Sequence, residues 1–114
     1  MGMFHTMSNS QDFVDALQAS QDHPIVIFKH SNSCPFSARA QVQISNAKHD
    51  LDVYGIVIQY AKELSQEIAE RLDVEHKSPQ AIVVYKGKAV SDYWRSDIQE
   101  DTLKKEVNEL SEAA

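Results

Sequence analysis

The feature that most constrains the fold is PIVIF, a run of apolar and β-branched residues at positions 24–28. A run without polar interruptions suits a strand buried on both faces, as in a parallel sheet that helices cover. A helical pattern precedes it, because Phe13, Ala16 and Leu17 recur at i, i+3 and i+4. Ser10 is a candidate N-cap for that helix. Together the two patterns predict a domain built from layers of helix and strand.

Helix and strand patterns alternate along the rest of the chain. Helices are predicted over residues 10–20, 35–48, 62–72 and 99–112, and strands over residues 24–28, 53–58, 80–85 and 89–94. The order α-β-α-β-α-β-β-α predicts an α/β domain whose first strands pair in parallel and whose closing hairpin is antiparallel. This order resembles that of the thioredoxin fold, which implies a central mixed four-stranded sheet flanked by helices.

Composition restricts the function classes. The 114 residues, 42% of them apolar, predict a single domain over residues 10–114, preceded by a disordered leader over residues 1–9. A net charge of -6 argues against a nucleic-acid-binding face, which needs clustered basic residues. No apolar run approaches the roughly 20 residues of a membrane span. Nothing marks a large exposed apolar surface, so a monomer is expected.

The chain has one cysteine, Cys34, within the stretch FKHSNSCPFSARA. It cannot form an internal disulfide, which predicts a reducing, cytoplasmic location. A cysteine at a strand-to-helix junction lies beside unpaired backbone N–H groups, which favour the thiolate. Ser37 stands where a dithiol enzyme would have its resolving cysteine, so any exchange mechanism is monothiol. The alternative is a buried, inert cysteine.

Two neighbours of the cysteine are candidates for tuning its pKa. Lys29 and His30 could lower the thiol pKa through positive charge. The alternative for both is a solvent-facing position at the end of a strand. The five histidines are scattered without metal-ligand spacing, so no metal site is predicted.

Pro79 precedes the QAIVVY strand and forms a second candidate site element. The Ser78–Pro79 bond is expected to be cis because thioredoxin-like proteins have a cis-proline at the matching place. A cis-proline there would expose the Ser78 backbone, which could then pair with a bound peptide or thiol.

The stretches FKHSNSCPFSARA and HKSPQAIVVYKGKAV, with WRSDI following, resemble the monothiol bacilliredoxins over about residues 10–110. The resemblance implies that Cys34 attacks a bacillithiol mixed disulfide on a client protein, with Ser37 supporting the thiolate. Bacillithiol is then a co-substrate, and no tightly bound cofactor is implied. The implied substrate-binding residues are Pro35, Phe36, Ser78 and Pro79. Phe36 departs from the family pattern, in which an aliphatic residue is expected. Trp94 is expected to pack in the core rather than to contact substrate.

Two alternatives remain at this point. CPFS differs only at Pro35 from the CGFS of monothiol glutaredoxins, which bridge monomers through a [2Fe-2S] cluster. A non-catalytic interaction module that keeps the fold, with Cys34 unreactive, is the other alternative.

Overall fold

The computed structural model describes residues 4–31, 35–45 and 51–113. The strands in these residues are β1 (Phe4–Thr6), β2 (Ile25–His30), β3 (Val53–Val57), β4 (Gln80–Tyr85) and β5 (Lys88–Trp94). The helices are α1 (Ser10–Asp22), α2 (Pro35–Ser45), α3 (Lys62–Leu72) and α4 (Glu100–Ala113), with a 3₁₀ turn at Arg95–Asp97. Among the helices described, none combines the length and apolar character that crossing a membrane requires. The α/β class predicted from the sequence is confirmed.

The described strands form one mixed sheet in the order β1-β3-β2-β4-β5. The first three pair in parallel, and β4 pairs antiparallel with both β2 and β5. All six residues of β2 are buried, as its apolar run predicts. Ile25 and Ile27 pack toward α1 and α3, whereas Val26 and Phe28 pack toward α2 and α4. The central strand is therefore covered on both faces.

The predicted four-stranded sheet is wrong by one strand, because β1 pairs with β3 along the edge of the sheet. The ring of Phe4 lies over Gly55, where an added Cβ would stand 2.5 Å from Phe4 Cζ. Met7, directly after β1, is only 3% exposed. The predicted disordered leader over residues 1–9 is therefore wrong for residues 4–9. Residues 1–3 lie outside the described residues.

The N-cap of the first helix lies one residue before its predicted position. Asn9, and not Ser10, is the N-cap, since its side chain accepts a 3.0 Å hydrogen bond from the Asp12 N–H. An amide oxygen at this position satisfies one of the helix's unpaired donors. The predicted 35–48 helix is observed to Ser45, and residues 46–48 lie outside the described residues.

The turn between β4 and β5 is anchored on α1. Lys86 and Gly87 both have positive φ, 54° and 76°, as a two-residue hairpin loop requires. The Lys86 N–H donates to the Ser20 carbonyl at 2.7 Å, and the Gly87 N–H donates to Ser20 Oγ at 2.9 Å. The hairpin is thus fixed at the end of the sheet away from Pro79, leaving the start of β4 beside the end of β2.

Candidate active site

Sheet topology brings the two predicted site segments to one end of the molecule. Lys29, near the end of β2, pairs with Gln80 at the start of antiparallel β4. Ser31 and Pro79 are the next residues beyond these strand ends. They therefore lie at the same end of the sheet. The candidate nucleophile Cys34 falls in residues 32–34, which lie outside the described residues.

The first turn of α2 contains three predicted site residues. Pro35 begins the helix, where its missing N–H is not needed for helical hydrogen bonding. Phe36 is 41% exposed, whereas Ser37 is 1% exposed. Ser37 Oγ accepts a 3.0 Å hydrogen bond from the Ser31 N–H. This bond fixes the start of α2 to the end of β2, on either side of the cysteine in the sequence. That Ser37 supports a thiolate stays a prediction.

The Ser78–Pro79 peptide bond is cis, which confirms that prediction. Pro79 is buried, and its carbonyl accepts a 3.3 Å hydrogen bond from the Arg95 N–H. Ser78 Oγ is buried and has no hydrogen-bond partner among the described residues. The hydrogen bond from Arg95 to Pro79 joins the cis-proline loop to the 3₁₀ turn that follows β5. The predicted contact of Ser78 and Pro79 with substrate stays a prediction.

Gln80 holds the cis-proline loop in place, a role that the sequence analysis missed. Its side chain is fully buried. The amide nitrogen donates to the Glu75 carbonyl at 3.0 Å and to Asp92 Oδ2 at 3.1 Å. The amide oxygen accepts from the Lys77 N–H at 3.4 Å. A glutamine at the start of an apolar strand is the signal that could have indicated this buried polar contact.

Lys29 is buried, so the solvent-facing alternative is wrong for this residue. Its Nζ donates to the Ser65 carbonyl at 3.1 Å and contacts His76 Nδ1 at 3.2 Å. Because an ammonium group only donates, Nδ1 is the acceptor, which places the neutral ring's proton on Nε2. Burial away from water lowers the pKa of Lys29 from 10.5 to about 8. Burial and the nearby Lys29 charge also lower the pKa of His76.

His30 is also buried, on the opposite face of the sheet from Lys29. Its ring stacks on Phe28, with centroids 4.9 Å apart and planes 10° from parallel. Burial lowers the pKa of His30, so its imidazole is predominantly neutral at pH 7. Lys29, with a pKa of about 8, remains mainly charged at that pH. Of the two candidate tuning residues, Lys29 is therefore the one that provides positive charge near the end of β2.

Trp94 is 40% exposed, so its predicted place in the core is wrong. It ends β5, an edge strand whose residues alternate between exposed and half-buried. The guanidinium carbon of Arg95 lies 4.3 Å from its ring centroid, and Lys77 Nζ lies 5.7 Å from it. The ring therefore packs under cations at the surface. Within the described residues no group of three histidine, cysteine, aspartate or glutamate side chains could hold a metal ion.

A family model, the monothiol bacilliredoxin BrxC, matches residues 5–103. The chain belongs to the monothiol bacilliredoxin family. This bacilliredoxin-family protein is accordingly a thiol oxidoreductase, and the resemblance read from its sequence is confirmed. Its family implies protein and thiol substrates.

Solved structures confirm the thioredoxin fold of this bacilliredoxin-family chain. One protein described as having a thioredoxin fold is 29% identical, with a TM-score of 0.81 over 90% of this chain and 91% of that one. The thioredoxin of Fasciola hepatica is 13% identical, with a TM-score of 0.71 over 92% of this chain and 97% of that one. The thioredoxin of Schistosoma mansoni is 11% identical, with a TM-score of 0.70 over 93% and 96%. The two thioredoxins support the fold alone.

Proposed function

We propose that this bacilliredoxin-family protein removes a low-molecular-weight thiol, bacillithiol, from mixed disulfides on client proteins, with Cys34 as the nucleophile. The observation behind the proposal is the convergence of the sequence around Cys34 with the cis-proline loop at one end of the sheet. Ser37 stands in the place of a second cysteine. An outside molecule therefore has to remove the bacillithiol that Cys34 has accepted. The protein works in the cytoplasm as a monomer without a tightly bound cofactor.

The exchange has two displacement steps. The Cys34 thiolate attacks the bacillithiol sulfur of the client's mixed disulfide, and the client sulfur leaves as a thiolate that takes up a proton. Cys34 now holds bacillithiol in a new disulfide. The thiolate of a second low-molecular-weight thiol attacks that bacillithiol sulfur, which releases the Cys34 thiolate and forms a small-molecule disulfide. Exchange of this kind is fastest when the attacking thiol has a pKa near the ambient pH.

Two features of the described residues support a lowered pKa for the thiol. Pro35 begins an eleven-residue helix, whose first turn presents unpaired N–H groups and the positive end of the helix dipole. Lys29 adds a buried positive charge near the end of the preceding strand, on the face of the sheet toward α3 rather than α2. Both favour a thiolate over a thiol.

The test is a transfer assay read by mass spectrometry. The reduced protein is mixed with a model protein that bears a bacillithiol mixed disulfide, and in parallel with one that bears glutathione. We expect a bacillithiol adduct on Cys34 in the first reaction, together with free client thiol. The absence of an adduct and of client release in both reactions would overturn the proposal.

Ser37→Cys is expected to convert the site toward a dithiol. A Cys-x-x-Cys pair at the start of a helix can close a disulfide without large backbone movement. Oxidised protein should therefore lose two hydrogens in mass, and release of bacillithiol from Cys34 should no longer need an outside thiol. Ser37→Ala is the matched control, because it also removes the hydroxyl that accepts from the Ser31 N–H. An oxidised Ser37→Cys protein that retains two free thiols would contradict the predicted facing of positions 34 and 37.

A further inference from the structure

A cleft lies between α2 and the 3₁₀ turn, next to the proposed exchange site. Its volume is about 380 Å³, and Phe36, Arg39, Arg95 and Ser96 are among its lining residues. Ligand pockets for small molecules begin at about 300 Å³. The cleft starts at Phe36, which follows Cys34 by two positions in the sequence.

Two guanidinium groups line this cleft without a carboxylate partner in the described residues. The only ion pairs there within 4.0 Å join histidines to Asp52, so neither Arg39 nor Arg95 is neutralised by a described acid. No carboxylate is among the described lining residues, although Asp97 is exposed in the same 3₁₀ turn. A protein with a net charge of -6 thus has a local positive site. Such a site attracts anions.

Aromatic rings, rather than acids, position the Arg95 side chain. Its guanidinium carbon lies 4.7 Å from the ring centroid of Phe36 and 4.3 Å from that of Trp94. Stacking on aromatic faces leaves the N–H donors at the edges of the guanidinium available to a ligand. Phe36, which departs from the aliphatic residue expected there, supplies one of these faces.

The backbone of Arg95 is fixed to the cis-proline loop. Its φ is 54°, in the left-handed region that favours glycine. Its N–H donates to the Pro79 carbonyl at 3.3 Å, and its own carbonyl accepts from the Ile98 N–H at 3.1 Å. An arginine therefore occupies a position for which backbone energy alone would select glycine. The presence of arginine at this position is therefore explained by the contacts of its side chain.

We propose that this cleft binds the carboxylate-bearing end of the low-molecular-weight thiol and so makes the protein selective for anionic thiols. Arg95, with Arg39 beside it, pairs with the carboxylates while the thiol's sulfur is exchanged at the neighbouring cysteine. Guanidinium groups match carboxylates in a planar, two-bond geometry. The small volume favours a single thiol molecule over a segment of a client protein. This selectivity rests on the proposed thiol-removal function.

Binding can be measured without any exchange reaction. Trp94 is the single tryptophan of the sequence and lies against Arg95, so its fluorescence reports on the cleft. The probe is bacillithiol methylated on sulfur, which keeps its malate carboxylates and cannot exchange. Arg95→Gly is expected to weaken binding by about five- to tenfold, between the effect of an exposed ion pair and that of a hydrogen bond to a charged group. Its melting temperature should stay the same or rise, because φ of 54° suits glycine.

Lys86→Gly is the matched control for that variant. Lys86 also has φ of 54°, and its Nζ lies 5.2 Å from the ring centroid of Tyr85. The substitution removes one positive charge from a residue with the same backbone conformation, at the opposite end of β4 and outside the cleft. We expect affinity for the methylated probe to be unchanged. Equal weakening by both variants would mean that only overall charge matters and would overturn the proposal.

A kinetic comparison separates the cleft from the proposed function. Cys34 is loaded with nitrothiobenzoate, and thiols displace it by attacking Cys34 Sγ, which releases the coloured nitrothiobenzoate thiolate. Bacillithiol is compared with uncharged 2-mercaptoethanol at equal thiolate concentration. The wild-type ratio of the two rates should fall toward one in Arg95→Gly. Equal rates in the wild type together with no probe binding would overturn the cleft. Probe binding in a protein that fails the client transfer assay would overturn the function and leave the cleft intact.

Discussion

Cys34→Ala is expected to abolish transfer of bacillithiol from a client mixed disulfide in the reaction proposed above. The rate of transfer with this variant should fall to that of the uncatalysed exchange. This is a loss on the order of a thousandfold or more, as is usual when a covalent nucleophile is removed. No other sulfur nucleophile can replace it, because Cys34 is the only cysteine of the chain. The measurement is the rate of free client thiol appearing, with adduct mass as a second readout.

Cys34→Ser is the control for size, since it retains a side chain of similar shape but a far weaker nucleophile. It should be as inactive as the alanine variant. Both variants should still bind the sulfur-methylated probe in the cleft at Arg95, which shows that they are folded. Residual transfer within about tenfold of the wild-type rate in either variant would remove Cys34 from the mechanism.

Lys29→Met is expected to raise the free energy of unfolding at pH 7 by about 1–3 kcal/mol. A pKa lowered from 10.5 to about 8 by burial corresponds to about 3 kcal/mol against the charged form. Methionine fills a similar volume without a charge. The gain is reduced because the Ser65 carbonyl and His76 Nδ1 lose a donor.

The pH dependence of the same pair of proteins identifies the cause. The folded-state pKa of Lys29 lies below its unfolded value, so the unfolded chain binds more protons between pH 8 and 10.5. Wild-type stability therefore rises with pH across that window, and the advantage of Lys29→Met shrinks there. Below pH 8 the full penalty on the wild type remains.

Urea unfolding at pH 7 and at pH 9.5 measures both effects. Lys105→Met, on an exposed position of α4, removes the same charge without the burial and should change stability by less than about 0.5 kcal/mol. A destabilised Lys29→Met at pH 7, or a difference from the wild type that does not depend on pH, would contradict the argument from burial.

Elements with a strong local pattern could be predicted from the sequence. The helix expected over residues 62–72 is observed as Lys62–Leu72, because Leu64, Ile68 and Leu72 form one buried stripe. By contrast, β1 has three residues and no pattern of its own. It exists through its pairing with β3 and through the ring of Phe4 over Gly55, which are separated by some fifty residues in sequence. Contacts of that range leave no local periodicity.

The features of the candidate site also fall into those that short motifs indicate and those that depend on distant parts of the chain. Cys34, Ser37 and Pro79 could be selected from short motifs, and the cis bond before Pro79 followed from the family resemblance. The burial of Lys29 could not, since Ser65 and His76 lie 36 and 47 positions further along the chain. A lysine at the end of a strand normally extends into solvent. Only the packing of α3 and the loop before β4 against the sheet decides otherwise.

The two edge strands of the sheet determine from which direction another polypeptide can pair with it. On one side β1 offers only three residues, too short to template a further strand well. On the other side the pairing of β4 with β5 shifts register between Val83 and Val84, an irregularity that distorts this edge. Lateral growth into chain-to-chain sheets is thereby discouraged on both flanks. We expect partner proteins to dock end-on, at the tips of the central strands, where the cis-proline loop lies at the same end of the sheet as the exposed start of α2.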